Sequence, residues 1–224
     1  MTQYIFLFSA VFLSFFILHS LVKDDFVLIR KNISIFQMFD LGFLALVIAF
    51  IFGRLLYVAD TRNIEIIHIL RFFYIFKFSG FSFLGALVGF NIGVFLLFRG
   101  KSAFRRMFDM YSISFFPVFL VHMFFIPPSH YKNLMIGIGV PLLIVLFLVF
   151  LKVHKEYKLR DGSISALTLF FAGVLNLHIS ILSLSPRIIW DLSLSALGSV
   201  AVIFAACIFF MFNERQLLKI KHGK

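Results

Sequence analysis

Phe36–Val58 reads FQMFDLGFLALVIAFIFGRLLYV, and Phe78–Phe98 reads FSGFSFLGALVGFNIGVFLLF. Each run is long and apolar enough to cross a bilayer, whose hydrocarbon core takes about 20 residues of helix. Working outward, five more such runs can be drawn: Tyr4–Val22, Met110–Ile126, Leu134–Leu151, Ile164–Leu184 and Leu192–Phe212. The chain is 62% hydrophobic and only 14% charged, which excludes a soluble domain. No internal repeat, low-complexity tail or second domain interrupts it, so residues 1–224 read as one all-α integral membrane domain of seven transmembrane helices. The first run lacks a basic leader and a small-residue cleavage site, and is read as a retained helix rather than a signal peptide.

A net charge of +11 raises the question of nucleic acid, but the cations fall in short clusters between apolar runs. Lys23, Arg30 and Lys31 form one cluster, and Arg99, Lys101, Arg105 and Arg106 another. Lys152, Lys155, Lys158 and Arg160 form a third, and the tail carries Arg215, Lys219, Lys221 and Lys224. The alternate loops hold a lone Lys132 and a lone Arg187. This is the topology signal of a membrane protein rather than a basic groove, and it predicts the N-terminus outside and the C-terminus in the cytoplasm. Between the second and third runs, polar Glu65, His68 and Arg71 recur every third residue among apolar ones. That spacing predicts an interfacial helix on the outer surface. Pro127-Pro128 should end the fourth span, and Pro141 should bend the fifth or free one of its carbonyls.

Polar groups inside spans are the candidates for function, because hydrocarbon tolerates them poorly. Arg54 admits two readings: it snorkels to the headgroups, or its guanidinium fork binds a lipid phosphate. His122, Asn176 and His178 lie within the fourth and sixth spans as helix-to-helix hydrogen-bond partners or, for His122 above all, as a catalytic group. Asp40 and Asp109 read as solvated helix ends. Ser82, Gly85 and Gly89 share a helix face, which serves either close helix packing or the approach of a lipid headgroup to the backbone. The single Cys207 forms no internal disulfide, no metal-type cysteine cluster exists, and no cofactor motif is present.

At these residues the chain resembles the prolipoprotein diacylglyceryl transferase family. Phe52-Gly53-Arg54-Leu55-Leu56-Tyr57-Val58 is similar to that family's GGRxxYV stretch, and Ser79–Gly89 to its GGMSFHGGLIG stretch. A basic loop and an aspartate follow at similar distance, Pro128-Ser129 stands where the family has HPSQLYE, and Tyr4 matches an N-terminal tyrosine. The resemblance implies a multi-pass protein of the bacterial cytoplasmic membrane that moves diacylglyceryl from phosphatidylglycerol to a prolipoprotein cysteine. Its implied partners are phosphatidylglycerol or another anionic lipid, the prolipoprotein and the bilayer. The implied site has Arg54 on the lipid phosphate with Tyr57, Ser82, Gly85 and Arg71 around the headgroup. His122 and Tyr4 carry the chemistry, with His122 as proton acceptor. The departures are specific: Leu84 stands where the family has the histidine of SFHGG, and Pro117–Ile126 holds neither the arginine nor the asparagine of RxGNF. His122 falls near that arginine's slot, and Asn176 and Ser180 fall near a family arginine and glutamate of the sixth span. A non-catalytic member that binds lipid or a membrane partner is the alternative.

Overall fold

The computed structural model describes residues 2–61, 80–100, 103–124, 132–183 and 194–222, and every regular element among them is helical. In chain order these are α1 (Thr2–Lys23), α2 (Phe26–Arg30), α3 (Ile35–Thr61), α4 (Phe83–Phe98), α5 (Phe104–Ser114), α6 (Phe116–Phe124), α7 (Lys132–Lys155), α8 (Ser163–Ser183) and α9 (Leu194–His222). Six segments are long and apolar enough to span a membrane, α5 and α6 together forming one; α4 is a shorter apolar helix. The expected seven-run pattern therefore appears as helices. The expected interfacial helix and Arg71 lie outside the described residues, as do Pro127 and Pro128.

Local chemistry sets where the helices start and break. Gly80 has φ +144°, Ser82 is extended, and the Ser82 hydroxyl accepts from the Gly85 N–H at 3.2 Å, so α4 begins at Phe83. The fourth run begins earlier than Met110, at Phe104, and is interrupted at Phe115. Pro117 supplies no N–H to continue the ladder, and its ring opposes the carbonyl one turn back. By contrast α7 continues through Pro141, whose missing N–H removes one bond from the helix ladder. Inside the expected cytoplasmic loop, Asp25 caps the short helix α2 by accepting from the Leu28 N–H at 3.0 Å.

The tightest packing joins α3 and α4, with α8 and α9 the next most closely engaged pair. On α4, Gly85, Gly89 and Gly93 face Gly53, Ala49 and Ala45 on antiparallel α3. A Cβ on Gly89 would lie 2.5 Å from Phe52 Cβ and 2.9 Å from the Ile48 carbonyl oxygen. Of the two uses weighed for this small-residue face, it serves backbone-to-backbone approach, the usual driver of association where lipid removes the hydrophobic incentive. Between α8 and α9, Asn176 Nδ2 donates to the Ser195 and Ser199 hydroxyls at 3.1 and 2.8 Å. Asn176 is thus helix-to-helix glue, while His178 is exposed.

The cation-rich connections meet at one end of the bundle around Arg106, which is only 3% exposed. Its Nε and Nη2 donate to Asp25 at 3.0 and 2.8 Å, its Nη1 reaches Asp161 at 3.3 Å, and Tyr157 covers the guanidinium at 4.4 Å. Arg105 donates to Asn213 Oδ1 and Arg160 to the Asn213 carbonyl, tying in α9. Asp109 overturns its reading as a solvated helix end. It is 1% exposed and accepts from the Gly162 and Ser165 N–H groups, both at 2.7 Å. The start of α8 offers orphan N–H donors in the interior, and a carboxylate satisfies two of them better than water at a helix end would. Asp40 is exposed as expected.

Candidate lipid-binding site

The Gly53-Arg54-x-x-Tyr57 sequence near the end of α3 grips the segment Gly80-Phe81-Ser82. Arg54, fully buried, donates from Nη1 to the Gly80 carbonyl. The Tyr57 ring lies over the Gly80 Cα so closely that any Cβ there would overlap it, and the positive φ disfavours other residues independently. The Phe81 ring covers Gly53, where an added Cβ would stand 2.6 Å away, and the Ser82 N–H donates to the Gly53 carbonyl at 3.0 Å. The two sequence stretches that looked like separate motifs are therefore halves of one clamp.

Beside the clamp lies a cavity of about 730 Å³, within the range of ligand-binding pockets. Its walls come from α1 (Leu7, Phe8), α3 (Phe43, Ala49), α4 (Phe83, Phe90), α5–α6 (Phe115, Phe119) and α8 (Leu169). Gly80 and Phe81 form part of its wall, so the clamp shapes the cavity. Among the described lining residues none carries a formal charge. Most polar groups there are already engaged: Asn91 Nδ2 with the Leu87 carbonyl at 2.7 Å, the Tyr111 hydroxyl with the Met38 carbonyl, and the Thr168 hydroxyl with the Ile164 carbonyl at 2.9 Å. His122 differs. Its ring stacks flat on Phe83, centroids 3.9 Å apart and planes 7° apart, and its buried Nε2 has no partner among the described residues. An unsatisfied buried nitrogen costs about 1–3 kcal/mol, so the cavity gains from a guest that carries a hydroxyl, thiol or ester.

Of the residues singled out from sequence, His122 lines the cavity and Arg54 and Tyr57 stand behind its Gly80 wall. Ser82 is occupied as the α4 cap, and Gly85 packs on the Phe52 carbonyl, 2.6 Å from where its Cβ would be; neither lines the cavity. Tyr4 belongs to the first turn of α1, whose next turns contribute Leu7, Phe8 and Val11 to the wall. Leu84 is 1% exposed and points at Gly198 of α9, away from the cavity. Phe83, the platform for His122, was missed; its position next to the capping Ser82 was the available signal. No group of His, Cys, Asp and Glu suited to a metal ion occurs among the described residues.

Comparison with known proteins gives one match. The family model for prolipoprotein diacylglyceryl transferase covers residues 3–125, more than half of the chain. No curated protein and no solved structure matches. The matched region holds α1 through α6, and with them the Arg54–Gly80 clamp, His122 and most of the cavity wall. This chain belongs to the prolipoprotein diacylglyceryl transferase family.

Proposed function

We propose that the cavity holds the diacylglyceryl part of phosphatidylglycerol or another anionic lipid, and that the protein transfers this group to a prolipoprotein cysteine thiol. The observation that carries this reading is the buried Nε2 of His122, which has no partner among the described residues and is held on the cavity wall by the Phe83 stack. With Leu84 turned toward α9, the position of the family's histidine offers no proton acceptor to the cavity, and among the described lining residues His122 is the imidazole that does. In the reaction the cysteine S–H gives its proton to His122, and sulfur forms a bond to the terminal glyceryl carbon. The bond from that carbon to the phosphate oxygen breaks, and the electron pair leaves with glycerol phosphate, which can then take up the proton. The reading puts the phosphate at the Gly80 end, where Arg54 contributes positive charge and Tyr57 shapes the headgroup region. The working orientation is N-terminus outside and C-terminus in the cytoplasm of a bacterial membrane.

A second reading is favoured by one observation: the described cavity lining is free of charge, as suits acyl chains better than a departing phosphate. In that case the protein binds lipid without chemistry. One assay separates the two. Purified protein, phosphatidylglycerol vesicles and a lipobox cysteine peptide are incubated, and mass spectrometry detects the diacylglyceryl adduct. Transfer predicts that His122→Ala lowers the rate by roughly 10²–10⁴-fold while lipid stays bound. An unchanged rate in His122→Ala removes the proposed role of that residue. Bound lipid with no adduct from the wild type establishes the second reading.

A further inference from the structure

At the basic end of the bundle Asp25 and Asp109 turn inward, onto Arg106 and the α8 backbone, whereas Lys23, Arg30 and Lys31 around α2 are exposed and outnumber the one exposed acid of that connection, Asp24. The same short connection exposes large apolar side chains: Phe26 at 67%, Ile29 at 59% and, just beyond it, Phe36 at 79%. Leu28 alone of α2 is fully buried. In water, three apolar side chains displayed among three cations would be a costly surface. At the boundary between acyl chains and headgroups both halves are matched, the apolar groups below and the cations at phosphate level.

The presentation is also built rather than loose. One oxygen of Asp25 caps α2 and the other is held by buried Arg106, so the helix is pinned to α5. At its far end the Lys31 N–H returns to the Val27 and Leu28 carbonyls at 3.1 Å, and Asn32 turns the chain with φ +52°. We propose that the α1–α3 connection is an interfacial anchor that binds an anionic phospholipid of the leaflet at the basic end. Lys23, Arg30 and Lys31 engage the headgroup, and Phe26 and Ile29 lie in the acyl boundary. This site is separate from the cavity, and its occupant is a structural lipid rather than a reactant.

The test is native mass spectrometry of the full chain, released from mixed micelles containing phosphatidylserine and phosphatidylcholine. Phosphatidylserine is the anionic probe, and the substituted residues lie outside the cavity lining, so failure here leaves the cavity reading intact. The wild type should retain phosphatidylserine preferentially, and Lys23→Gln/Arg30→Gln/Lys31→Gln should weaken that retention about tenfold or more. Phe26→Ser/Ile29→Ser should weaken it too with the charges in place. The Lys152→Gln/Lys155→Gln/Lys158→Gln variant, which removes exposed cations at the same end, should leave it unchanged. Unaltered retention in the first triple variant overturns the proposal, as does an equal loss in both triples, which would mean diffuse attraction. Equal binding of soluble poly-glutamate overturns it in favour of an acidic protein partner. Should the first triple variant lose its helical circular dichroism, Arg30→Gln/Lys31→Gln replaces it under the same criteria.

Discussion

Gly80→Ala is the substitution that bears most directly on the clamp. Two separate penalties meet at this position. An alanine must hold φ near +144°, a sparsely populated region for residues with a Cβ, at about 1–3 kcal/mol. Its methyl would also overlap the Tyr57 ring, and overpacking of this kind costs about 1–3 kcal/mol more. The sum is about 2–6 kcal/mol, unless the segment swings away and takes the Gly80 carbonyl off Arg54, which leaves a buried guanidinium short of an acceptor. Removing the ring separates the terms. In Gly80→Ala/Tyr57→Ala the overlap vanishes while the φ penalty stays, so a double-mutant cycle should return a coupling of about 1–3 kcal/mol in favour of the double variant. Reversible unfolding in mixed micelles, followed by circular dichroism against denaturant fraction, measures all four corners. A Gly80→Ala variant within about 0.5 kcal/mol of wild type, the ordinary range for a surface change, would refute the clamp. So would a cycle with no coupling, since the ring would then not be what excludes a side chain.

Two further outcomes follow from the packing. Arg106→Ala should destabilise the fold by about 3–5 kcal/mol, because it leaves Asp25 buried without its cation; Lys152→Ala, an exposed cation at the same end, should be near neutral in the same unfolding assay. Gly89→Leu should push α4 off α3, since even a Cβ would stand 2.5–3.0 Å from Phe52, Ile48 and Ala49. The expected signature is a loss of detergent-resistant folded protein together with loss of lipid retention, whereas Gly100→Ala, in open space, should show neither.

Hydropathy and spacing are properties of short stretches, and they made much of the architecture legible. The apolar runs, the small-residue face at 85 and 89 and the cation clusters each carry their meaning locally, because a helix in lipid must satisfy its own backbone and choose its neighbours by size. The likeness of 52–58 and 79–89 to the family motifs was legible for the same reason. What those motifs do was not. Arg54 and Gly80 are separated by 26 positions, and only the antiparallel docking of α3 and α4 turns them into one clamp. Whether position 84 or position 122 faces the cavity depends on the rotation of each helix about its axis, which packing against α9 and the break at Pro117 decide. Asp109 shows the limit most plainly. By sequence it is a charge near a helix end, where water is the natural partner. Burial becomes favourable only when the start of α8, more than fifty residues later, brings two unpaired N–H groups to its carboxylate. Local composition and spacing were enough to mark a membrane protein of seven apolar runs with a glycine-lined helix pair. Tertiary structure alone decided which polar groups are consumed by the fold and which, like His122, are left facing the cavity, because a buried polar atom is settled by partners that distant segments supply.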